Sequence, residues 1–235
     1  MATQYKPILF STEMVQAILE GRKKLTRRTQ GLEIINNNPD DWFLDGLKIL
    51  GRFIFHNLKS KEEIQIKPKF EIGDILWVRE TFGQDCFGDF FYKASDELPG
   101  DILKWKPSIH MPKKAARIFL EVTNVRVERL QEISEEDVIA EGVKMIKKGE
   151  KYEDLENGEL ISKKHEENYY YFYPGHDDFR DDSYMPRSVF PNAHISSFFS
   201  LWCLIHNEKS WKANPWVWVY EFNQVHHPKG FLNEN

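Results

Sequence analysis

Apolar residues recur along this chain in helical, alternating and continuous patterns, and each pattern predicts an element. Met14, Val15, Ile18 and Leu19 fall at i, i+1, i+4 and i+5, the stripe of an amphipathic helix. Ser11 or Thr12 can cap its start, and Gly21 stands where a helix stops. Residues 6–10 ahead of it read as a short strand. Phe53, Phe55, Ile64 and Ile66 alternate with polar residues, as in a hairpin. A Gly73-Asp74 turn leads into the unbroken apolar run Ile75–Val78, a buried strand that leaves through Arg79 and Glu80. Ile118, Leu120 and Val122 alternate with Arg117, Phe119, Glu121 and Thr123, a further strand. Residues 133–142 form a short helix in which Ser134 caps, Asp137 completes a capping box and Ile133 staples onto Val138. Phe198, Phe199, Trp202 and Ile205 share one helix face, and residues 214–222 form a closing strand.

Between these elements lie inserts at about residues 30–69, 83–104 and 143–194. Asn36–Asp41 is turn chemistry, and the last insert is charged and tyrosine-rich. No repeat is evident, and strands with widely spaced helices suggest α+β. The reading is one decorated domain over residues 1–235. Residues 70–82, 115–129 and 215–223 are expected in one barrel-like sheet with the residue 12–20 helix packed on it.

Composition changes this picture little. The 235 residues are 41% hydrophobic and 29% charged, with no apolar stretch of the ~18 residues a membrane span needs. Residues 1–10 lack a signal-peptide pattern. A cytoplasmic protein is therefore expected, with Cys86 and Cys203 reduced and packed. Cys and His spacings fit no zinc site, and no metal or cofactor is expected. His176 with Asp177 and Asp178 can attract a metal, but it reads first as part of the insert. His110, between prolines, reads as a hydrogen-bonded structural histidine.

Charge matters more. The formal net charge is −5, which argues against a general nucleic-acid binder. Yet residues 21–28, Gly-Arg-Lys-Lys-Leu-Thr-Arg-Arg, hold five cations in eight positions directly after the first helix. Thr26 follows Lys23 by three residues. A hydroxyl near a lysine can be a nucleophile with its base, or both can contact phosphate; the bland reading is a solvated basic turn. As a strand, residues 24–28 would put Lys24, Thr26 and Arg28 on one face and Leu25 and Arg27 on the other. Arg79 and Glu80 either form a structural salt bridge or line a cleft. Glu141 is also out of place, since a helix C-terminus disfavours a carboxylate.

Taken in order, several segments resemble the ASCH domain family, which has a PUA-like β-barrel fold. They are the helix running into Gly21, Lys23, Thr26 and Arg28; Leu76-Trp-Val-Arg-Glu-Thr81 after the Gly-Asp turn; Ser108-Ile-His-Met-Pro112; Ala140-Glu-Gly142; and Ser210-Trp with Asn214-Pro-Trp-Val-Trp-Val219. The last blocks look like a longer subgroup common in phages and prophages. The resemblance spans about residues 6–29, 70–82, 105–145 and 195–223. Lys113 and Lys114 depart from the subgroup, which often carries a bulky aromatic there.

The resemblance implies RNA, single-stranded nucleic acid or a modified nucleoside as partner. Some small members resemble amidohydrolases that deacetylate 4-acetylcytidine, and their lysine, threonine and glutamate correspond to Lys23, Thr26 and, by a looser alignment, Glu141. Other members are ribonucleases or only bind. In the hydrolase reading Thr26 is the nucleophile and Lys23 the base. A free lysine has pKa ~10.4 and a useful base ~7–8, a difference of ~4 kcal/mol. Arg22, Lys24, Arg27 and Arg28 push in the needed direction, and an ionised Glu141 pushes back. In the binding reading, ranked first, a basic cleft uses Arg22, Lys24, Arg27, Arg28, Arg79, Glu80, Lys113 and Lys114, with Trp77 or Phe82 as an apolar wall. A phage accessory protein without a cleft is the third class.

Overall fold

A computed structural model describes residues 4–95, 104–147, 169–172 and 193–233. The first third of the chain runs β1 (Tyr5–Leu9), α1 (Thr12–Leu19), β2 (Leu25–Arg28), α2 (Glu33–Asn36), β3 (Trp42–Ile49), β4 (Arg52–Asn57) and β5 (Glu63–Ile66). Then come β6 (Ile75–Arg79), β7 (Phe82–Gln84), β8 (Phe90–Tyr92), β9 (Phe119–Arg129) and α3 (Glu135–Ala140). The chain ends with β10 (Lys144–Lys147), β11 (Tyr169–Phe172), α4 (Ala193–His206), α5 (Glu208–Lys212) and β12 (Trp216–Val225). The class is α+β, mostly strand.

The main sheet has five strands in the order β1-β6-β9-β12-β2. Only β1 and β6 pair in parallel; the other neighbours are antiparallel. The three segments expected in one sheet are its centre, and α1 buries Met14, Val15 and Ile18 in the core they share. The described strands do not close into a barrel. β1 and β2 remain the sheet's two edges, and Arg28 reaches from one to the other by donating from Nη2 to the Leu9 carbonyl at 2.9 Å.

Two apolar clusters explain why β6 reads as an unbroken run. Leu76 and Val78 face the main cluster, whereas Ile75 and Trp77 face a second one built on Met111, Phe119 and Phe231. A strand covered on both faces has no solvent side to make polar. In β9 the alternation slips between Val122 and Val125. There the β12 register shifts, Glu221 facing Asn124 and Phe222 facing Val122, so Thr123 is the extra residue of a β-bulge.

The residue 30–69 insert is largely structured. Phe53 lies opposite Ile66 and Phe55 opposite Ile64, the cross-strand pairs of the predicted hairpin. This small β3-β4-β5 sheet covers the main sheet through Phe53 on Trp218 and Phe55 on Trp216, with ring centroids 5.0 and 5.3 Å apart. The residue 83–104 insert contains the β7-β8 hairpin. Of residues 143–194, most lie outside the described residues, including His176, Asp177 and Asp178; β10 and β11 pair antiparallel.

Some expected placements differ. Leu19 is exposed, and the small Ala17 takes the inward position, because the end of α1 packs tightly on Gly142. On α4 the inward stripe is Phe198, Leu201 and Trp202, while Ile205 is exposed one turn on. Cys86 is exposed rather than packed, and His110, read as a hydrogen-bonded structural histidine, is exposed with its backbone amide donating to the Pro107 carbonyl. His227 packs edge-on against Phe119 at 4.8 Å. Among the described residues, no helix is long and apolar enough to cross a membrane.

Candidate functional site

The basic stretch is set up by the end of α1. Ser11 accepts from the Met14 amide, and Gly21 takes φ +73°, a left-handed turn that L side chains rarely adopt. The amides of Arg22 and Lys23 then both donate to the Ala17 carbonyl at 2.9 Å. This turns the Lys23 side chain inward. Gly142, just after α3, lies against it: a Cβ there would meet Ala17 Cβ at 2.9 Å and Lys23 Cβ at 3.0 Å. Only a residue without a side chain lets α1 and α3 approach so closely.

Lys23 and Glu141, far apart in sequence, consequently touch. Lys23 Nζ donates to Glu141 Oε2 at 2.6 Å and to the Glu141 carbonyl at 2.9 Å, and both side chains are at most 4% exposed. The misplaced carboxylate of α3 thus has its counter-ion. Burial pulls the Lys23 pKa below the ordinary lysine value; Glu141 opposes this, and the charges of Arg28 and Arg27 reinforce it.

Arg27 belongs to the same buried cluster. Its guanidinium pairs with Glu128 at 2.6 Å, with Glu141 at 3.3 Å and with Asp137. Arg126 adds a second cation, bonding Glu128 at 3.0 Å as well as Asp137 and Glu221. In the strand register Arg27 faces Val219, which faces Arg126, so the cluster occupies one face of the sheet beneath α3. Phe198 of α4 stacks on it, 5.7 Å from the Arg27 guanidinium carbon.

Thr26 and Arg28 point to the opposite face, because strand residues alternate. There Thr26 lies opposite Tyr220 and Arg28 opposite Trp218. Thr26 is buried, and no hydrogen bond joins it to Lys23 or Glu141 among the described residues. On this face a cavity of about 340 Å³ fills the gap between the two sheet edges. Pro7, Ile8 and Leu9 of β1 form one wall; Arg28, Arg79 and Lys69 are its cations, and Phe70 and Tyr220 its aromatic rings. Lys23, Thr26 and Glu141 do not line it. Phe10 links the two regions: Lys23 Nζ and Arg28 Cζ lie 5.6 and 5.3 Å from its ring centre.

Polar groups in this gap are unevenly satisfied. Lys69 donates to Gln30 at 3.1 Å, and Arg79 Nη2 donates to the Ile109 carbonyl. Arg79 Nε and the Tyr220 hydroxyl are buried without a hydrogen-bond partner. Burial raises the Tyr220 pKa, the nearby Phe70 and Lys69 amides and the Arg28 charge only partly offsetting it, so the phenol is neutral at physiological pH.

The remaining expected site residues separate. Glu80 is buried in a two-pronged ion pair with Arg117, both contacts at 2.8 Å, which answers its ambiguity in favour of a structural bridge. Arg27 is likewise buried in ion pairs rather than presented on a binding surface. Arg22 donates to the Gly142 carbonyl and to Glu20 at 2.6 Å. Lys24 is exposed, and its amide donates to the Ala140 carbonyl at 2.7 Å. Lys113 and Lys114 lie over Phe231 and Phe90, at 4.8 and 5.5 Å, on the side of the second cluster. Trp77 and Phe82, considered as a cleft wall, are buried in that cluster.

Sequence reasoning missed Tyr220, Phe70, Lys69 and Gln30, and in the cluster Arg126, Glu128 and Glu221. Their signals were faint. Tyr220 is the only hydroxyl in the run Trp216–Phe222, and Arg126 and Glu128 alternate with valines. Comparison with protein-family models, with curated proteins and with solved structures finds no match.

Proposed function

We propose that this protein binds single-stranded RNA or a modified nucleoside in the gap between β1 and β2, as a PUA-like domain of the ASCH type. The observation that carries the reading is the cavity itself. It is of small-ligand size, apolar along β1, aromatic at Phe70 and Tyr220, and bordered by Arg28, Arg79 and Lys69. Aromatic and apolar walls suit a base; guanidinium groups suit its phosphate. The net charge of −5 makes such a concentration of cations informative, because a general basic surface does not explain it. The five-stranded sheet with facing edges fits a barrel parted at this seam.

A second reading, hydrolysis of an acylated cytidine, is favoured by Lys23. Its pKa is depressed by burial, the change a general base requires, and Glu141 fixes its position. With Thr26 on the other face, Lys23 would activate water instead of a threonine. Water would attack the acyl carbon, releasing acetate and the free amine.

Fluorescence anisotropy with labelled single-stranded RNA, across a salt series, tests the first reading. Binding that weakens with salt, and weakens further in Arg79→Ala, is expected. Salt-independent binding, or none, would overturn it. Acetate release from 4-acetylcytidine by wild type, lost ~100-fold or more in Lys23→Ala, would establish the second.

A further inference from the structure

The binding reading leaves open what in the gap distinguishes one base from another. Arg28, Arg79 and Lys69 are phosphate chemistry and carry no base information. Tyr220 is different. It is 1% exposed, it lines the cavity, and its hydroxyl makes no close hydrogen bond: the Phe70 and Lys69 amides approach its oxygen, and its proton has no acceptor. Buried tyrosine hydroxyls are normally paired, and leaving one unpaired is unfavourable. The ring cannot turn away to find water. It sits on a central strand between β9 and β2, and Phe70 packs edge-on against it at 5.0 Å.

The facing wall is also polar along its backbone. The Phe10 amide donates to Arg79, and the Ile75 amide donates to Gln4, so the even-numbered residues of this segment bond β6. Strand alternation then turns the backbone groups of Pro7 and Leu9 toward the gap. Arg28 bonding the Leu9 carbonyl from across the gap agrees with this. Pro7 lacks an N–H and suits an edge that is not paired by another strand. A flat ring entering here meets backbone groups on one side and a fixed phenol on the other.

We propose, resting on the binding reading, that Tyr220 selects the base: its hydroxyl hydrogen-bonds a polar edge atom of a nucleobase while Arg28 and Arg79 hold the attached phosphate. Ligands of the right size that lack that edge atom leave the hydroxyl unpaired and are rejected.

The test is calorimetric titration of wild type and Tyr220→Phe with CMP, UMP, AMP, GMP and ribose 5-phosphate, and with the matching homopentanucleotides. Wild type should prefer one base over ribose 5-phosphate by about 10-fold or more. Tyr220→Phe should lose that preference, about 10-fold. Ribose 5-phosphate affinity should not change, and the thermal midpoint should stay level or rise as an unpaired hydroxyl is removed. Arg79→Ala should instead weaken all the nucleotides alike. Selectivity with mononucleotides assigns the site to a free nucleotide, and selectivity only with pentanucleotides to a base within a strand. Unchanged selectivity in Tyr220→Phe, or an equal loss for every ligand, overturns Tyr220 as selector and leaves nucleotide binding standing. No binding of any nucleotide or pentanucleotide by wild type overturns both.

Discussion

Arg27 and Arg28 are neighbours on one strand and serve opposite regions. Arg27 enters a closed cluster in which three carboxylates surround it. Arg28 faces an open gap where a tyrosine hydroxyl and a guanidinium nitrogen lack partners. The closed region pairs each of its charges with an opposite one, leaving Arg27 Nε as its unpartnered atom among the described residues, and it holds α3 and the end of α1 onto the sheet. The open region retains the unmade interactions that a ligand can complete. Density of charge alone would have pointed to the wrong one.

The sharpest break of this contrast is the pair Arg27→Ala and Arg28→Ala. Removing Arg27 leaves Glu128 and Asp137 to Arg126 alone and Glu141 to Lys23 alone, and about 3 kcal/mol of stability should be lost in urea titrations. Removing Arg28 should change stability by only ~1 kcal/mol but weaken single-stranded RNA binding and reduce the salt slope by about 0.7. If Arg27→Ala stays stable and loses binding, the assignment of the two regions is reversed.

Next in size is Gly142→Ala. The added methyl meets Ala17 and Lys23 at a backbone φ of +100°. Left-handed strain and overpacking together should cost about 2–3 kcal/mol, again by urea titration. RNA affinity of the folded protein should be unchanged, since the gap lies on the other face; a lost affinity would show that the regions are coupled through Phe10.

The smallest effect is a pH dependence that separates Lys23 from an ordinary ion pair. Its folded pKa lies below the unfolded value of 10.5, so the unfolded chain binds the proton more tightly. Below the folded pKa the penalty of burying the charge is fully present. It is relieved as pH rises from the folded pKa toward 10.5. Wild type should therefore gain stability relative to Lys23→Met on going from pH 7 to pH 10. A relative loss would mean that attraction to Glu141 outweighs desolvation.

Local signals made much of this fold legible. Ser11, Gly21, Ser134 and the hairpin pairs Phe53–Ile66 and Phe55–Ile64 act over a few residues, so their chemistry is written where it operates. Lys23 with Glu141 was reachable only through resemblance to a known family, not from spacing. Thr26 shows the limit. It lies three positions after Lys23, which suggested one shared target, but strand alternation sends it to the face of Tyr220.

By itself the sequence determined the helix caps at Ser11 and Ser134, the stop at Gly21, the alternating strands and the cation-rich segment, because each depends on neighbours in the chain. Only the tertiary structure decided which cations are neutralised and which face a cavity. That choice depends on strands brought together from both ends of the chain: β12 beside β2 supplies Tyr220, and α3 beside α1 supplies Glu141. A charge is a binding group or a structural one according to what lies across from it, and sequence distance carries no record of that.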